Sequence, residues 1–222
     1  MKATLGIDTS CGFTVLGLAE GNRVTAESRW ELGRAQASLL PSLVRQLLQP
    51  FHLTLEDLEV LAVTVGPGAY TGLRIGVAYA AALADALGIR VVPLSTLEVL
   101  AAEAPPGELP VAVSLRARKG HLYGAAYVHH PEGVRVLQEP TFLSEQEFLG
   151  LRRGWGKGYH VGLSPEEIEG GNSVNWIPLP RSSPSGAALV RAGLRRASEA
   201  LSPETLRIAY LREPDFGPKG CV

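Results

Sequence analysis

The spacing of apolar residues in the first part of the chain predicts strands and one helix in a definite order. Residues 3–7 and 13–19 are apolar runs and residues 23–31 form a further β-prone segment, so the three predict neighbouring strands joined by turns. Leucines recur at helical spacing over residues 35–49, which predicts a helix with one wide apolar stripe. A nearly continuous apolar run over residues 60–65 then predicts a strand that is covered on both faces.

Two helices flank the next predicted strand. Residues 71–87 have helical periodicity, and Gly88 is a residue typical of a helix C-terminus. The apolar segment 89–94 predicts another buried strand. Ser95 and Glu98 have the spacing of a capping box, so we expect a further helix to begin there.

The second half of the chain begins with the same kinds of element as the first. Residues 109–114, 121–128 and 134–140 predict three strands, and Ser144 with Glu147 predicts a capped helix after them. Because both halves open with three strands and a helix, the pattern predicts a duplicated, two-lobed α/β fold with a cleft between the lobes.

The predicted lobes divide the chain near a proline-rich segment. We assign residues 1–106 to the N-terminal lobe and residues 107–222 to the C-terminal lobe. Residues 154–180 are rich in glycine and proline, which predicts loops with short elements. A last helix is predicted over residues 185–201 and a tail from Tyr210, and we expect both to pack back on the first lobe.

Composition narrows the choice of function and location. The chain has 222 residues, 45% of them hydrophobic, and a formal net charge of −1. A protein that binds nucleic acid by itself usually has a basic excess, so we expect any contact with RNA to need a local basic patch or a partner. Two cysteines far apart, no signal-peptide pattern and no long apolar run predict a cytoplasmic protein without a membrane span.

The stretch VGPGAYTGLRIG, residues 65–76, joins a predicted buried strand to a predicted helix. Its spacing matches neither the dinucleotide-binding fingerprint nor the Walker phosphate loop, so it is weak evidence for phosphate binding. Pro67 and Gly68 suit the centre of a type II turn, and Thr71 suits a helix N-cap. The helix after it has only two charged residues, Arg74 and Asp85, and therefore lacks an ordinary polar face.

Something must cover a helix with so little polar surface. One interpretation is that the chain's own first helix or second lobe covers it, and the other is that this helix and the first helix form a subunit interface. The residues assigned to this candidate interface are Leu39, Leu40, Leu43, Val44, Leu47, Leu73, Arg74, Gly76, Val77, Ala80 and Ala81.

Candidate catalytic groups are few. Asp8, followed by Thr9 and Ser10, ends the first predicted strand, where it could hold a metal–phosphate group or simply cap a turn. The corresponding hairpin of the second half, residues 114–120, has no acidic residue and three basic ones. No histidine spacing typical of a metal site occurs, so we predict neither a metal nor a cofactor.

Several stretches together resemble one family. IDTSCG (residues 7–12), AVTVGPGAYTGLRIGVAYAAALADALGI (62–89), PLSTLEVLA (93–101) and the tripeptide YLR (210–212) are similar to TsaB proteins, also called YeaZ. The resemblance covers most of residues 3–104 and is looser beyond. It implies an actin/Hsp70/sugar-kinase type fold and a non-catalytic role in forming N6-threonylcarbamoyladenosine at position 37 of tRNA.

The resemblance also implies partners. These are TsaD, the larger catalytic paralogue, and the ATPase TsaE, with tRNA reached only through the complex and a homodimer when the protein is alone. TsaD carries two metal-binding histidines at the places held here by Thr96 and Leu100, which implies that this chain binds no metal there. The family's D-A-R-R-G-E-V-Y is here R-A-R-K-G-H-L-Y, with Arg116 and His121 in place of acids.

An enzyme is the alternative function. Asp8 would lie in the cleft of an ATP-dependent phosphotransferase or hydrolase of the same fold. In that case the triad Asp8, Thr9 and Ser10 is a working nucleotide site, whereas a scaffold protein would retain it only as a vestige.

Overall fold

The computed structural model describes residues 2–168 and 175–211. The strands in these residues are β1 Ala3–Asp8, β2 Thr14–Glu20, β3 Arg23–Trp30, β4 Leu58–Gly66, β5 Arg90–Ser95, β6 Pro110–Arg118, β7 His121–His130, β8 Gly133–Ser144, β9 Gly158–Gly162 and β10 Trp176–Pro180. The α-helices are α1 Gln36–Leu48, α2 Tyr70–Leu87, α3 Thr96–Ala101, α4 Glu145–Trp155 and α5 Gly186–Arg195.

The strands form two five-stranded sheets with one shared topology. The first has the order β3-β2-β1-β4-β5, with β1, β2 and β3 antiparallel and β1, β4 and β5 parallel. The second has the order β8-β7-β6-β9-β10 and repeats the same directions. The predicted duplicated α/β fold of the actin/Hsp70/sugar-kinase type is therefore confirmed.

Helices cover both faces of the first sheet. On one face, the leucine stripe of α1 and the inner side of α2 pack with β1, β2 and β4 in one large apolar cluster. On the other face, α5 packs against β1 to β4, together with apolar residues of β5 and α3. This three-layer arrangement explains why β1 is buried along its whole length and β4 over residues 61–66.

The second sheet is covered by α3 on one face and α4 on the other. Apolar residues of α3 pack with β6 and β7, so α3 lies between the two sheets. On the opposite face Phe148 of α4 packs with Leu122, Ile168 and Trp176.

The end of the second half differs from the prediction. Residues 154–180 contain β9 and β10, where we predicted loops with only short elements. β9 begins and ends with glycine because a side chain at either end would meet a neighbouring backbone: a Cβ on Gly158 would lie 2.2 Å from Pro110 O, and one on Gly162 would lie 1.9 Å from Ser114 O. The last α-helix ends at Arg195, earlier than predicted, and a 3-10 turn, Ala197–Glu199, follows.

The chain returns to the first lobe after β10. α5 lies on the first sheet, and after the 3-10 turn Leu201 pairs with Val91 on the outer edge of β5. The boundary between residues 106 and 107 stays a prediction, and residues 212–222 of the predicted tail lie outside the described residues.

Candidate partner-binding face and interlobe cleft

The glycines at the start of α2 receive the loop between β1 and β2. Thr9 Oγ1 donates a hydrogen bond of 2.7 Å to Gly72 O, and the amide of Ala69 donates one of 2.7 Å to Ser10 O. A Cβ on Gly72 would lie 2.0 Å from Thr9 O, and one on Gly76 would lie 2.3 Å from Thr9 Oγ1. The small residues on this flank of α2 therefore serve packing within the chain.

Two local predictions for this loop were wrong. Gly66 has a positive φ of +128°, but Gly68 does not, so the type II turn predicted with Pro67 and Gly68 at its centre is absent. The Gly66–Pro67 peptide bond is cis. α2 begins at Tyr70 with Ala69 as its N-cap and no side-chain cap, and Thr71 lies exposed in the first turn. The close approach of the loop after β1, rather than local turn preferences, determines the backbone geometry at the start of α2.

Most residues of the predicted interface lie in the protein core, and this corrects the residue assignment. The buried ones are Leu40, Leu43, Val44, Leu47, Leu73, Gly76, Val77 and Ala80. The apolar stripes of α1 and α2 face each other and the first sheet, because this buries more apolar surface than an outward arrangement would. Leu39 and Arg74 are exposed, and Ala81 is half-buried.

The outward side of these two helices consists mainly of small or apolar residues. We name it the docking face and define it by Leu39, Ser42, Ile75, Ala78 and Ala82. Leu39 is 40% exposed, Ala78 and Ala82 are exposed, and the other two are half-buried. Alanines spaced four residues apart leave a flat surface that another helix can approach closely.

Asp8 is sealed inside the protein and does not reach the cleft. It is 0% exposed, and its Oδ1 accepts hydrogen bonds from Ser10 N (3.2 Å), Ser10 Oγ (2.5 Å) and Thr64 Oγ1 (2.6 Å). Burial raises the pKa of this carboxyl, although these hydrogen bonds oppose the shift. Asp8 therefore ties the end of β1 to β4 and to its own turn.

A cavity of about 490 Å³ lies between the lobes. The first lobe lines it with Ser10, Cys11 and residues 68–70, and the second with residues 115–117, Tyr123 and residues 162–163, while Glu167, residues 180–182 and Tyr210 complete the lining. Arg116 forms an ion pair with Glu145 and also donates to the backbone carbonyl of Glu167. The arginine that replaces the family's acid therefore joins parts of the second lobe.

A buried serine–histidine pair went unnoticed at the sequence level. Ser114 Oγ lies 2.8 Å from His160 Nε2, and both residues are at most 2% exposed. Burial and the nearby Arg152 cation lower the pKa of His160 to about 3, so the imidazole is neutral. Neither residue lines the cavity, which makes this a core polar pair, and a separation of 46 positions in the chain left no local signal.

The described part of the chain has neither a cluster of metal ligands nor a helix suited to cross a membrane. No group of three or more His, Cys, Asp or Glu side chains is placed to hold a metal ion there. Thr96 and Leu100 are completely buried, and Thr96 Oγ1 donates to Ser10 Oγ over 3.3 Å. None of the helices within residues 2–168 and 175–211 has the length and apolar character that crossing a bilayer requires.

Comparison with known protein families shows to which family this chain belongs. The family model for tRNA N6-adenosine threonylcarbamoyltransferase, TsaD, matches residues 31–185. The chain belongs to the TsaB/TsaD family. An uncharacterized protein of Mycobacterium tuberculosis, 30% identical, covers 98% of the chain and 95% of its own length.

Relatives within the TsaB/TsaD family carry the name that the sequence resemblance suggested. The tRNA threonylcarbamoyladenosine biosynthesis protein TsaB of Bacillus subtilis is 34% identical over 123 residues, which are 55% of this chain and 54% of that protein. The structure of YeaZ from Pseudomonas aeruginosa matches with a TM-score of 0.80 and 25% identity, over 95% of this chain and all of that one. The resemblance to TsaB (YeaZ) is thereby confirmed.

Proposed function

We propose that this chain is a non-catalytic scaffold subunit in the formation of N6-threonylcarbamoyladenosine at position 37 of tRNA. It docks through the docking face on the catalytic paralogue TsaD, and TsaE joins the larger complex. The same face holds two copies together when the protein is alone, tRNA is bound only through the complex, and the complex is cytoplasmic.

The composition of the docking face is the observation that carries this proposal. α2 has 18 residues, yet Arg74 and Asp85 are its charged side chains, and alanines occupy most of its other exposed positions. A solvated helix normally presents a charged side to water, so an exposed side of alanines favours contact with another protein. Since the inner glycines and leucines are occupied within the chain, the partner must bind this outer side.

The state of Asp8 supports a scaffold over an enzyme. A general base or a metal-bound carboxylate must reach the reacting group, directly or through one water molecule. Asp8 is fully buried and does not line the cavity; its Oδ1 accepts three hydrogen bonds, and its Oδ2 has no partner among the described residues. The alternative phosphotransferase would require the loop after β1 to leave the glycine flank of α2.

Co-elution with TsaD from the same organism tests the docking face. We expect the two unmodified proteins to elute together in size-exclusion chromatography, and Ala78→Arg or Ala82→Arg to abolish the shared peak. Each change places a long charged side chain on a flat surface, where it separates the partners and must be desolvated. Both positions are exposed, so the fold should remain intact, whereas Gly76→Arg or Ala80→Arg would disrupt the core.

Ala197→Arg is the matched control. Ala197 is exposed in the 3-10 turn after α5, on the far side of the first sheet from the docking face, so this variant should bind TsaD normally. Full TsaD binding by Ala78→Arg and Ala82→Arg would refute the docking assignment. If Ala78→Arg and Ala82→Arg lost self-association but still bound TsaD, the docking assignment would be refuted as well.

A further inference from the structure

The last described segment of the chain runs from the first lobe to the second. We name residues 201–211 the strap. It starts at the outer edge of β5, where Leu201 and Val91 exchange two backbone hydrogen bonds of 2.8 and 2.9 Å. It continues along α2 through the 3-10 turn Pro203–Thr205 and ends at the cleft, which Tyr210 lines.

The middle of the strap is firmly attached to the first lobe. Leu206 is 6% exposed within the apolar cluster of the first lobe, and Ile208 packs against the same cluster. The amide of Ala209 donates a hydrogen bond of 2.8 Å to Val65 O at the end of β4. A Cβ on Gly66 would lie 2.6 Å from Ala209 O, so glycine at this strand end permits the close approach.

The end of the strap contacts both lobes through two side chains. The ring of Tyr210 stacks on Tyr70 at the start of α2, with 5.1 Å between the centroids. Leu211 packs against the apolar cluster in which α3 of the first lobe meets β6, β7 and β9 of the second, and Cys11 contacts the same cluster. Leu211 therefore lies at the boundary between the lobes.

Attachment is much weaker at this end than in the middle. Tyr210 is 44% exposed and Leu211 is half-buried, whereas Leu206 is almost completely enclosed. A segment with few buried contacts opens at a lower free energy than the core does. The two terminal side chains can therefore detach while the rest of the strap remains in place.

We propose that Tyr210 and Leu211 form a latch that holds the two lobes closed around the interlobe cleft. Detachment of the latch lets the second lobe move away and widens the cavity at the wall formed by Cys11 and Tyr70. The latch controls access to the cleft independently of partner binding at the docking face.

The reactivity of the Cys11 thiol reports opening of the cleft. Cys221→Ser leaves Cys11 as the single thiol, because the chain has two cysteines. Cys11 is half-buried in the wall of the cavity, and burial raises the pKa of its thiol, so opening increases both its exposure and its ionisation. Ellman's reagent is bulky and should react with it mainly in the open form.

The test compares labelling rates in this single-thiol protein. We expect the double variant Tyr210→Ala/Leu211→Ala to react about tenfold faster than the protein with an intact strap. Leu211→Met keeps the apolar volume and should react at the original rate. Glu204→Ala, at an exposed strap position outside the latch, should also leave the rate unchanged.

A dependence on urea separates local opening from unfolding of the whole chain. Local opening exposes little surface, so the faster labelling should be nearly independent of urea at low concentration. A latch variant that labels no faster than Glu204→Ala would overturn the proposal. So would labelling that increases with urea as steeply as global unfolding does.

Discussion

Thr9 comes so close to α2, through its backbone oxygen and its side chain, that this helix needs glycine at two successive turns. Thr9 O and Oγ1 lie where side chains on Gly72 and Gly76 would begin, and Thr9 Oγ1 also donates to Gly72 O. Glycine inside a helix costs about 1 kcal/mol relative to alanine, so this contact must offset that cost at both positions.

The first prediction at the residue scale concerns Gly72. We expect Gly72→Ala to lower the free energy of unfolding by about 2 kcal/mol, because the new methyl group would overlap a backbone oxygen that cannot rotate away. Urea denaturation followed by circular dichroism measures the change. Gly154→Ala is the matched control: Gly154 lies in α4 with open space around it, so alanine should raise stability there by up to about 1 kcal/mol. Equal effects at the two positions would contradict the close-contact explanation.

The second residue-scale prediction concerns pH. His160 has a pKa of about 3 in the folded protein, and in the unfolded chain it should have the ordinary value of about 6.5. Below about pH 6.5 the unfolded chain therefore binds a proton at this histidine that the folded protein excludes. The free energy of unfolding consequently decreases as the pH falls toward 3. The slope from this one group is at most about 1.4 kcal/mol per pH unit.

His160→Gln should lessen this acid sensitivity. Its free energy of unfolding, measured in urea between pH 7 and pH 4, should depend less on pH than that of the unmodified protein. His52→Asn, at an exposed position, should retain the original dependence. An unchanged pH slope in His160→Gln would mean that this histidine is not the group responsible.

At the scale of single elements, α5 is held in place by carboxylates at its N-terminus. Glu27 Oε2 of β3 accepts from the amide of Ala187 over 2.8 Å, and Glu103 Oε1 accepts from the amide of Ser185 over 2.8 Å. Carboxylates at a helix N-terminus satisfy free amides and interact favourably with the helix dipole. α5 is thereby fixed on the first sheet although the chain enters it from the second lobe.

Removal of one of these charges should have a small, salt-dependent effect. Glu27→Gln keeps an acceptor but loses the charge, so it should cost about 0.3–1 kcal/mol at low ionic strength and less in high salt. Glu31→Gln is the control, because exposed Glu31 makes no hydrogen bond or ion pair that the structure records. Urea denaturation at two salt concentrations compares the two variants, and a salt-independent difference would argue against the dipole interaction.

Elements with strong local signals agreed with the structure. Ser144 and Glu147 form the predicted capping box of α4, and Gly88 ends α2 in the left-handed conformation. β9 and β10 were unrecognised because each has only five residues, with glycine or proline where an alternating pattern would be read. β9 is determined by its pairing with β6, which lies far away in the chain, and β10 by its pairing with β9.

At the scale of the whole molecule, the two lobes are joined by segments that cross between them more than once. α3 lies between the two sheets, α5 returns from the second lobe to the first sheet, and the strap runs back toward the second lobe. The docking face and the cleft lie at separate places on the two-lobed molecule. Partner binding and access to the cleft can therefore be tested separately.

The sequence by itself determined the duplicated α/β fold, the order of most elements and the family. These depend on periodicity, on turn residues and on motifs within a single stretch, which are local properties. It also identified α1 and α2 as unusually poor in charge.

Only the tertiary structure decided which side of those helices is free. Residues that face the sheet and residues that face outward share the same apolar or small character, so Leu40 and Gly76 could not be distinguished from Ala78 by sequence. Burial of Asp8, the Ser114–His160 pair and the path of the strap likewise depend on contacts between distant segments, which no local pattern records.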